Sequence, residues 1–339
     1  MKFDVAMLTQ NPLEAKGFAL QAEEAGFSGV YTFEGQHDPF LPLAIAAGST
    51  QSLDLMTGIA VAFGRSPLTL AHTAYDLQLM SRGRFILGIG TQVKAHIQRR
   101  YSMPWSKPAA RMREFVLALR AIWECWQTGG KLAFEGAFYH HTLMTPTFSP
   151  GPNPHGVPKV FLAGVGPKMV AVAGEVADGY IVHPFHTVRH LREHSLPALK
   201  RGLASRGLAR GDMEISCQII LGTGFTPDDI AQATETARRQ IGFYASTPAY
   251  LPVLECMDRV DIHQPLLDLS RQGKWNEMGA LVDDVLLHEV AAIGTPEQAA
   301  EHIIATRGAL VDRISPVAYG KDIALYAAVG KALGVLRES

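Results

Sequence analysis

The run RSPLTLAHTAYDLQLMSRGRFILGIGTQVK, residues 65–94, restricts the fold more than any other stretch of the chain. Pro67 suits a first helical position, where its missing N–H would lack a partner in any case. Leu70, Thr73, Ala74, Leu77 and Met80 recur at helical spacing and predict one helix face turned inward. Ser81-Arg-Gly-Arg84 ends that helix, with Gly83 free to take positive φ. Residues 85–89 are almost wholly apolar, as a strand buried on both faces requires. Gly88 and Gly90 then remove side chains near the strand end, where a flat or anionic ligand could approach the backbone. A helix, a tight turn and a doubly buried strand make the repeating unit of a parallel α/β fold.

The same alternation runs through the chain. Short apolar segments at 3–8, 29–33, 53–62, 84–90, 159–163, 179–182, 214–222 and 312–318 predict eight strands. Helical patterns at 12–25, 41–49, 68–80, 110–127, 167–176, 188–205 and 323–336 fall between them. Eight alternating units imply an α/β fold of the closed (β/α)8 TIM-barrel kind, with the open doubly wound sheet as competitor. A chain of 339 residues, 47% of them apolar, is long enough for one such domain. Residues 129–158 predict a small hairpin and a Pro/Gly-rich loop after strand four. Residues 226–289 predict extra helices after strand seven, with breaks near Pro248 and Pro265.

Net charge is −1 and no Lys/Arg block occurs, which argues against nucleic-acid and membrane surfaces. The three cysteines, Cys125, Cys217 and Cys256, are far apart and form no CxxC, as expected of reduced thiols. The N-terminus enters a strand pattern without a signal-peptide core, so a cytoplasmic location is expected.

Three strand ends carry candidate chemistry. Ala163-Gly-Val-Gly-Pro-Lys-Met169 leads from a strand into a helix at Pro167. Helix N-terminal N–H groups favour an anion, so the turn reads equally as a phosphate cradle, with Lys168 as counter-charge, or as a tight turn. Gly58 inside an apolar strand suggests a bulge, or simply one weak position in a buried strand. The loop Phe33-Glu-Gly-Gln-His-Asp-Pro39 holds a carboxylate and an imidazole. Capping by Asp38 with Pro39 after it explains those two residues but not Glu34 or His37. His186, His190 and His194 repeat at i, i+4, i+8, yet Arg189, Arg192 and Glu193 among them favour a solvated helix face. Trp105, Trp123 and Trp126 read as core, and no metal site is expected.

Gly58, the RSP turn, SRGRFILGIGTQ, AGVGP and Ala177-Asp-Gly-Tyr180, in this order, resemble the luciferase-like monooxygenase superfamily, most closely its branch that uses the deazaflavin coenzyme F420. The resemblance spans nearly the whole chain. It implies a TIM barrel whose third strand carries a bulge, often with a non-proline cis peptide, under the flavin ring. The matching positions are Gly58, Ile59, Ala60 and Val61, with the bond at Gly58–Ile59. It further implies cofactor contacts from Thr91, Gln92 and His96, a phosphate-bearing tail held at Val165, Gly166, Lys168 and Met169, an acidic contact from Glu34, and a catalytic histidine matched by His37.

Two departures argue against the sugar-phosphate substrate of one branch. Gly35 and Gln36 separate Glu34 from His37, and Val93 stands where that branch has a catalytic glutamate. The resemblance therefore implies hydride transfer between F420 and a small organic substrate: an alcohol, a carbonyl or an activated alkene. Alternatives are an FMN-dependent monooxygenase using O₂, and a non-catalytic barrel with a decayed site. A homodimer is implied by the resemblance, with helix 110–127 either at its interface or packed on the barrel. The loops 103–105 and 139–147 suggest an apolar, aromatic pocket.

Overall fold

The structure is a computed structural model that describes residues 1–317 and 322–336. Its eight barrel strands are β1 (Lys2–Ala6), β2 (Gly29–Thr32), β3 (Asp54–Thr57), β4 (Phe85–Gly90), β5 (Lys159–Ala163), β6 (Gly179–Val182), β7 (Glu214–Thr223) and β8 (Arg313–Val317). Each pairs in parallel with the next. Pairing of Lys2 with Arg313 and of Phe3 with Ile314 closes the ring, which excludes the open sheet. All eight expected strands are present; the last was expected to reach Ala318, which lies outside the described residues.

The helices of the barrel wall include α1 (Ala15–Glu24), α2 (Phe40–Ser49), α3 (Pro67–Met80), α4 (Pro108–Thr128), α5 (Pro167–Val176), α6 (Leu196–Ala204), α7 (Pro296–Arg307) and α8 (Ile323–Ala332), and the 226–289 segment adds further helices, among them Pro227–Ala245. The α3 unit forms as its residues dictate. Ser66 accepts a hydrogen bond from the Thr69 N–H, Pro67 follows it, and Arg82 and Gly83 turn the chain at φ 55° and 90°. Helix α4 buries Met112, Phe115, Leu119, Ile122, Trp123 and Trp126 within its own chain. Ala177-Asp-Gly-Tyr180 is a packing motif as well as a signature. Asp178 accepts from the Val160 N–H and from Arg120, and a Cβ on Gly179 would stand 2.4 Å from the Phe161 ring.

Several expectations are corrected. The single helix expected over 188–205 is interrupted by a π turn, Leu191–Ser195, ahead of α6. His186 and His190 are buried, not on a solvated face, because their segment packs against the barrel wall; His194 is exposed. Helix α7 and the parallel strand Ala291–Gly294, which pairs with the outer half of the long β7, were not anticipated. The chain breaks at Pro248 as expected, but Pro265 sits in the first turn of helix His263–Arg271, where proline is tolerated. The 129–158 segment begins after α4, on the helix-to-strand side. Its hairpin, Phe134–Glu135 with His140–His141, hangs on Glu114, whose carboxylate accepts from the Ala137, Phe138 and Tyr139 N–H groups. No helix among the described residues is long and apolar enough to cross a membrane.

At the N-terminal end the barrel is closed by charge. Arg313, fully buried, donates to Asp4 at 2.6 Å, to Glu214 at 2.7 Å and to Asp54. Ser315 donates to the second oxygen of Asp4 at 2.9 Å. One guanidinium thus joins strands β1, β3, β7 and β8. A charge so placed is tolerated only when its hydrogen bonds are made. Burial raises the Asp4 pKa in spite of Arg313.

Candidate active site

The other end of the barrel holds an open cleft of about 410 Å³. Its walls come from Ile59 after β3, Gly90 at the end of β4 and Thr91 to Lys94 after it, Trp105 before α4 and Pro108 at its start, Ala163 to Gly166 and Met169 around the start of α5, His183 after β6, and Ala249 and Tyr250. Catalytic groups of barrel enzymes sit at this end, because the strands point into the loops there. A larger cavity of about 520 Å³ lies at the opposite end among Lys2, Lys159, Asp178 and Asp312, away from every candidate residue.

The floor at β3 is a bulge. Thr57 turns its side chain into the ladder, donating to Gly88 O at 2.7 Å and accepting from Gly88 N at 3.0 Å. A Cβ on Gly88 would stand 1.8 Å from Thr57 O, so only glycine fits. The Gly58–Ile59 peptide bond is cis, at the bond named from the resemblance. Gln218 of β7 donates to Gly58 O across the barrel at 2.9 Å. Beyond the bulge Ala60 and Val61 rejoin β4, both buried, leaving Ile59 as the residue that faces the cleft.

Glu34 fastens this bulge. Its Oε2 accepts from the Val61 N–H at 2.7 Å and from Arg65 at 2.5 Å, and its Oε1 accepts from Tyr101 O–H at 2.8 Å. Burial, then the Glu34 carboxylate, pushes the Tyr101 hydroxyl up to about 12. Both oxygens are engaged by protein donors, so the carboxylate positions the floor.

At α5 the N-cap is Gly166, which offers no side chain to the first-turn N–H groups. A Cβ there would meet nothing within 4 Å, so the glycine leaves open space beside the helix end. A Cβ on Gly164 would stand 2.7 Å from Met169 Cγ, which fixes the close turn. Tyr180 O–H donates to Gly164 O at 2.8 Å and holds the turn to β6. An anionic group fits this helix N-terminus, and a flat ring fits the shelf between Ile59 and the glycine-bearing end of β4.

Of the expected residues, Ile59, Thr91, Gln92, Val165, Gly166 and Met169 line one cleft. Gly58, Ala60 and Val61 are the buried layer beneath Ile59. His37, His96 and Lys168 are exposed and do not line the cleft. Trp105 lines the cleft, as its loop suggested, and is not the core residue it was also read as, whereas residues 139–147 do not line it: Tyr139 packs on Phe115 and accepts from Arg111. Asp38 caps α2 by accepting from the Phe40 and Leu41 N–H groups.

His183 and Tyr250 escaped the sequence reading. His183 directly follows the last residue of β6, the position where a barrel strand delivers a side chain to the site. The 226–289 insertion supplies its neighbours: Tyr250 with ring centroid 4.4 Å away and Tyr244 at 4.9 Å. Elsewhere, Glu193, His194 and Cys256 offer atoms within 4.8 Å of one another, but Glu193 is paired with Arg189 at 3.2 Å.

Comparison with known proteins agrees with this geometry. The family description "Luciferase-like monooxygenase" matches residues 1–313. An uncharacterized protein of Mycobacterium tuberculosis is 50% identical over 299 residues, 88% of each chain. The coenzyme F420-dependent tetrahydromethanopterin reductase of Methanopyrus kandleri has the same fold, with a TM-score of 0.81 at 20% identity over 97% of this chain and 96% of its own. An F420-dependent secondary alcohol dehydrogenase bound to an F420–acetone adduct gives 0.74 at 19% identity over 100% of both chains. With the barrel, the β3 bulge and the match over most of its length, the chain belongs to the luciferase-like monooxygenase family.

Proposed function

We propose that the chain is an F420-dependent oxidoreductase that transfers hydride between the deazaflavin and a small organic substrate. The observation that carries this reading is the pairing, in one cleft, of an apolar shelf at Ile59 with the uncapped helix end at Gly166. The shelf suits a flat ring, and the helix end suits the phosphate of its tail. The F420 dependence named for two proteins of the same fold supports the choice of cofactor. The deazaflavin would supply the hydride chemistry. Ile59, Gly166 and Met169 would hold it, with Thr91 and Gln92 at its edge, while Trp105 and Tyr250 reduce access of water to the substrate.

His37, exposed on the loop after β2, is the proposed carrier of a proton between solvent and substrate. His37→Ala is expected to lower kcat for anaerobic oxidation of reduced F420 by an acceptor substrate roughly 10²-fold. Unchanged turnover would remove His37 from the mechanism and leave the cofactor reading standing.

A further inference from the structure

We infer that His183 is a catalytic residue whose Nε2–H donates a hydrogen bond to the oxygen of a ketone or secondary-alcohol substrate. The inference rests on the F420 reading and adds to it both a substrate class and the group that recognises it.

The ring is oriented by the fold. Nδ1 accepts the Phe185 N–H at 3.0 Å. A backbone N–H only donates, so Nδ1 carries no proton and the neutral ring bears its hydrogen on Nε2. Tyr250, tilted 38° at 4.4 Å, and Tyr244, edge-on at 75° and 4.9 Å, set the plane of the imidazole. No acceptor among the described residues bonds Nε2, and it is not sealed away from solvent. Since His183 lines the cleft, its free donor belongs to whatever occupies that space. Burial pushes the His183 pKa down to about 4, so at neutral pH the ring donates without carrying a charge.

With Ile59, Gly166 and Met169 given to the cofactor, Thr91 and Gln92 at its edge and Lys94 beyond them in the chain, the walls left for a substrate beside His183 are the apolar and aromatic Trp105, Pro108 and Tyr250. A molecule that satisfies one fixed N–H donor and otherwise prefers apolar walls is a carbonyl compound or its alcohol. In the reducing direction, hydride from the reduced deazaflavin forms a C–H bond at the carbonyl carbon, and the C=O π pair moves onto oxygen. The deazaflavin is oxidised, the oxygen takes a proton from solvent, and the product is the alcohol. Nε2–H stabilises the charge that grows on that oxygen, the task of an oxyanion-hole donor.

His183→Phe keeps an aromatic ring between the tyrosines and removes the donor; His183→Gln returns an N–H near the Nε2 position. With reduced F420 and a panel of ketones (acetone, cyclohexanone, acetophenone), His183→Phe is expected to lose about 10²-fold or more in kcat/KM. Its Kd for F420 should stay within about twofold and its Tm unchanged, and His183→Gln should recover at least about tenfold of the loss. A merely structural role would move Tm and Kd and show no rescue. Independently of turnover, ¹⁵N-histidine spectra of the cofactor-free protein should show the Nε2–H tautomer at His183, with the peak assigned by its absence in His183→Gln.

Equal activity of His183→Phe, or an Nδ1–H tautomer, would overturn the role of His183. F420 binding without turnover of any ketone would overturn the substrate class alone. No F420 binding by the unsubstituted chain would overturn the reading beneath both.

Discussion

Arg313→Met should lower the stability of the folded chain by about 3–5 kcal/mol, read from the midpoint of urea unfolding at constant slope. Methionine fills much of the arginine's space, so packing is nearly kept and the charge balance is what changes. Asp4, only 1% exposed, would then lose the cation that pairs with it, while Asp54 and Glu214 would keep only the more exposed Lys2. The loss should depend on pH in a definite sense. In the unsubstituted protein burial raises the Asp54 pKa, but Arg313 and Lys2 outweigh burial and hold it below its ordinary value. Its contribution to stability is therefore full at neutral pH and disappears only as pH falls through the lowered pKa. Without Arg313 the folded-state carboxylate pKa values rise, and protonation relieves the repulsion. The gap between the two proteins should narrow from neutral pH toward about pH 5. A gap of under about 1 kcal/mol would show that the cluster is not balanced by this arginine.

Glu34→Ala should damage the cleft without unfolding the barrel. The substitution leaves the Val61 N–H, Arg65 and the Tyr101 O–H without their common acceptor. Each lost partner costs about 1–3 kcal/mol where water cannot replace it. The Glu34 and Arg65 side chains are 10% and 19% exposed, so replacement is incomplete. The bulge carrying Ile59 would shift, and a displacement on the scale of an ångström costs turnover roughly 10²-fold. Glu34→Gln keeps one acceptor oxygen and should fall between the two. Full F420 binding and turnover in Glu34→Ala would mean that the bulge holds its shape without this carboxylate.

The eight strands were legible because a strand buried on both faces has nothing to alternate: FILGIG and GYIV are apolar throughout. The helix end at Gly166 was legible because glycine followed by proline after an apolar strand marks a turn into a helix, whereas the β3 bulge followed from the family resemblance, Gly58 alone reading as readily as a weak position in a buried strand. The strand Ala291–Gly294 was not legible, because AAIG has a single β-branched residue, Ile293, and no aromatic one, and it depends on the overhang of β7. The π turn Leu191–Ser195 leaves no periodic signal of its own, and His186 is buried against Cys217 and Arg307, both distant in sequence.

Long-range partners were the other gap. Glu34 reads as a free carboxylate until Val61, Arg65 and Tyr101, all distant in sequence, converge on it. His183 reads as one of several histidines until the tyrosines of the insertion fold back beside it. In both cases the residue type was visible, and its role came from elements that meet only in the closed barrel.

The most direct test of the cofactor assignment is a fluorescence titration of the purified cofactor-free chain with oxidised F420 and, separately, with FMN at moderate salt. The account predicts micromolar or tighter binding of F420 and FMN binding weaker by at least about tenfold, a difference of about 1.4 kcal/mol. Preference for FMN, or binding of neither, would contradict it.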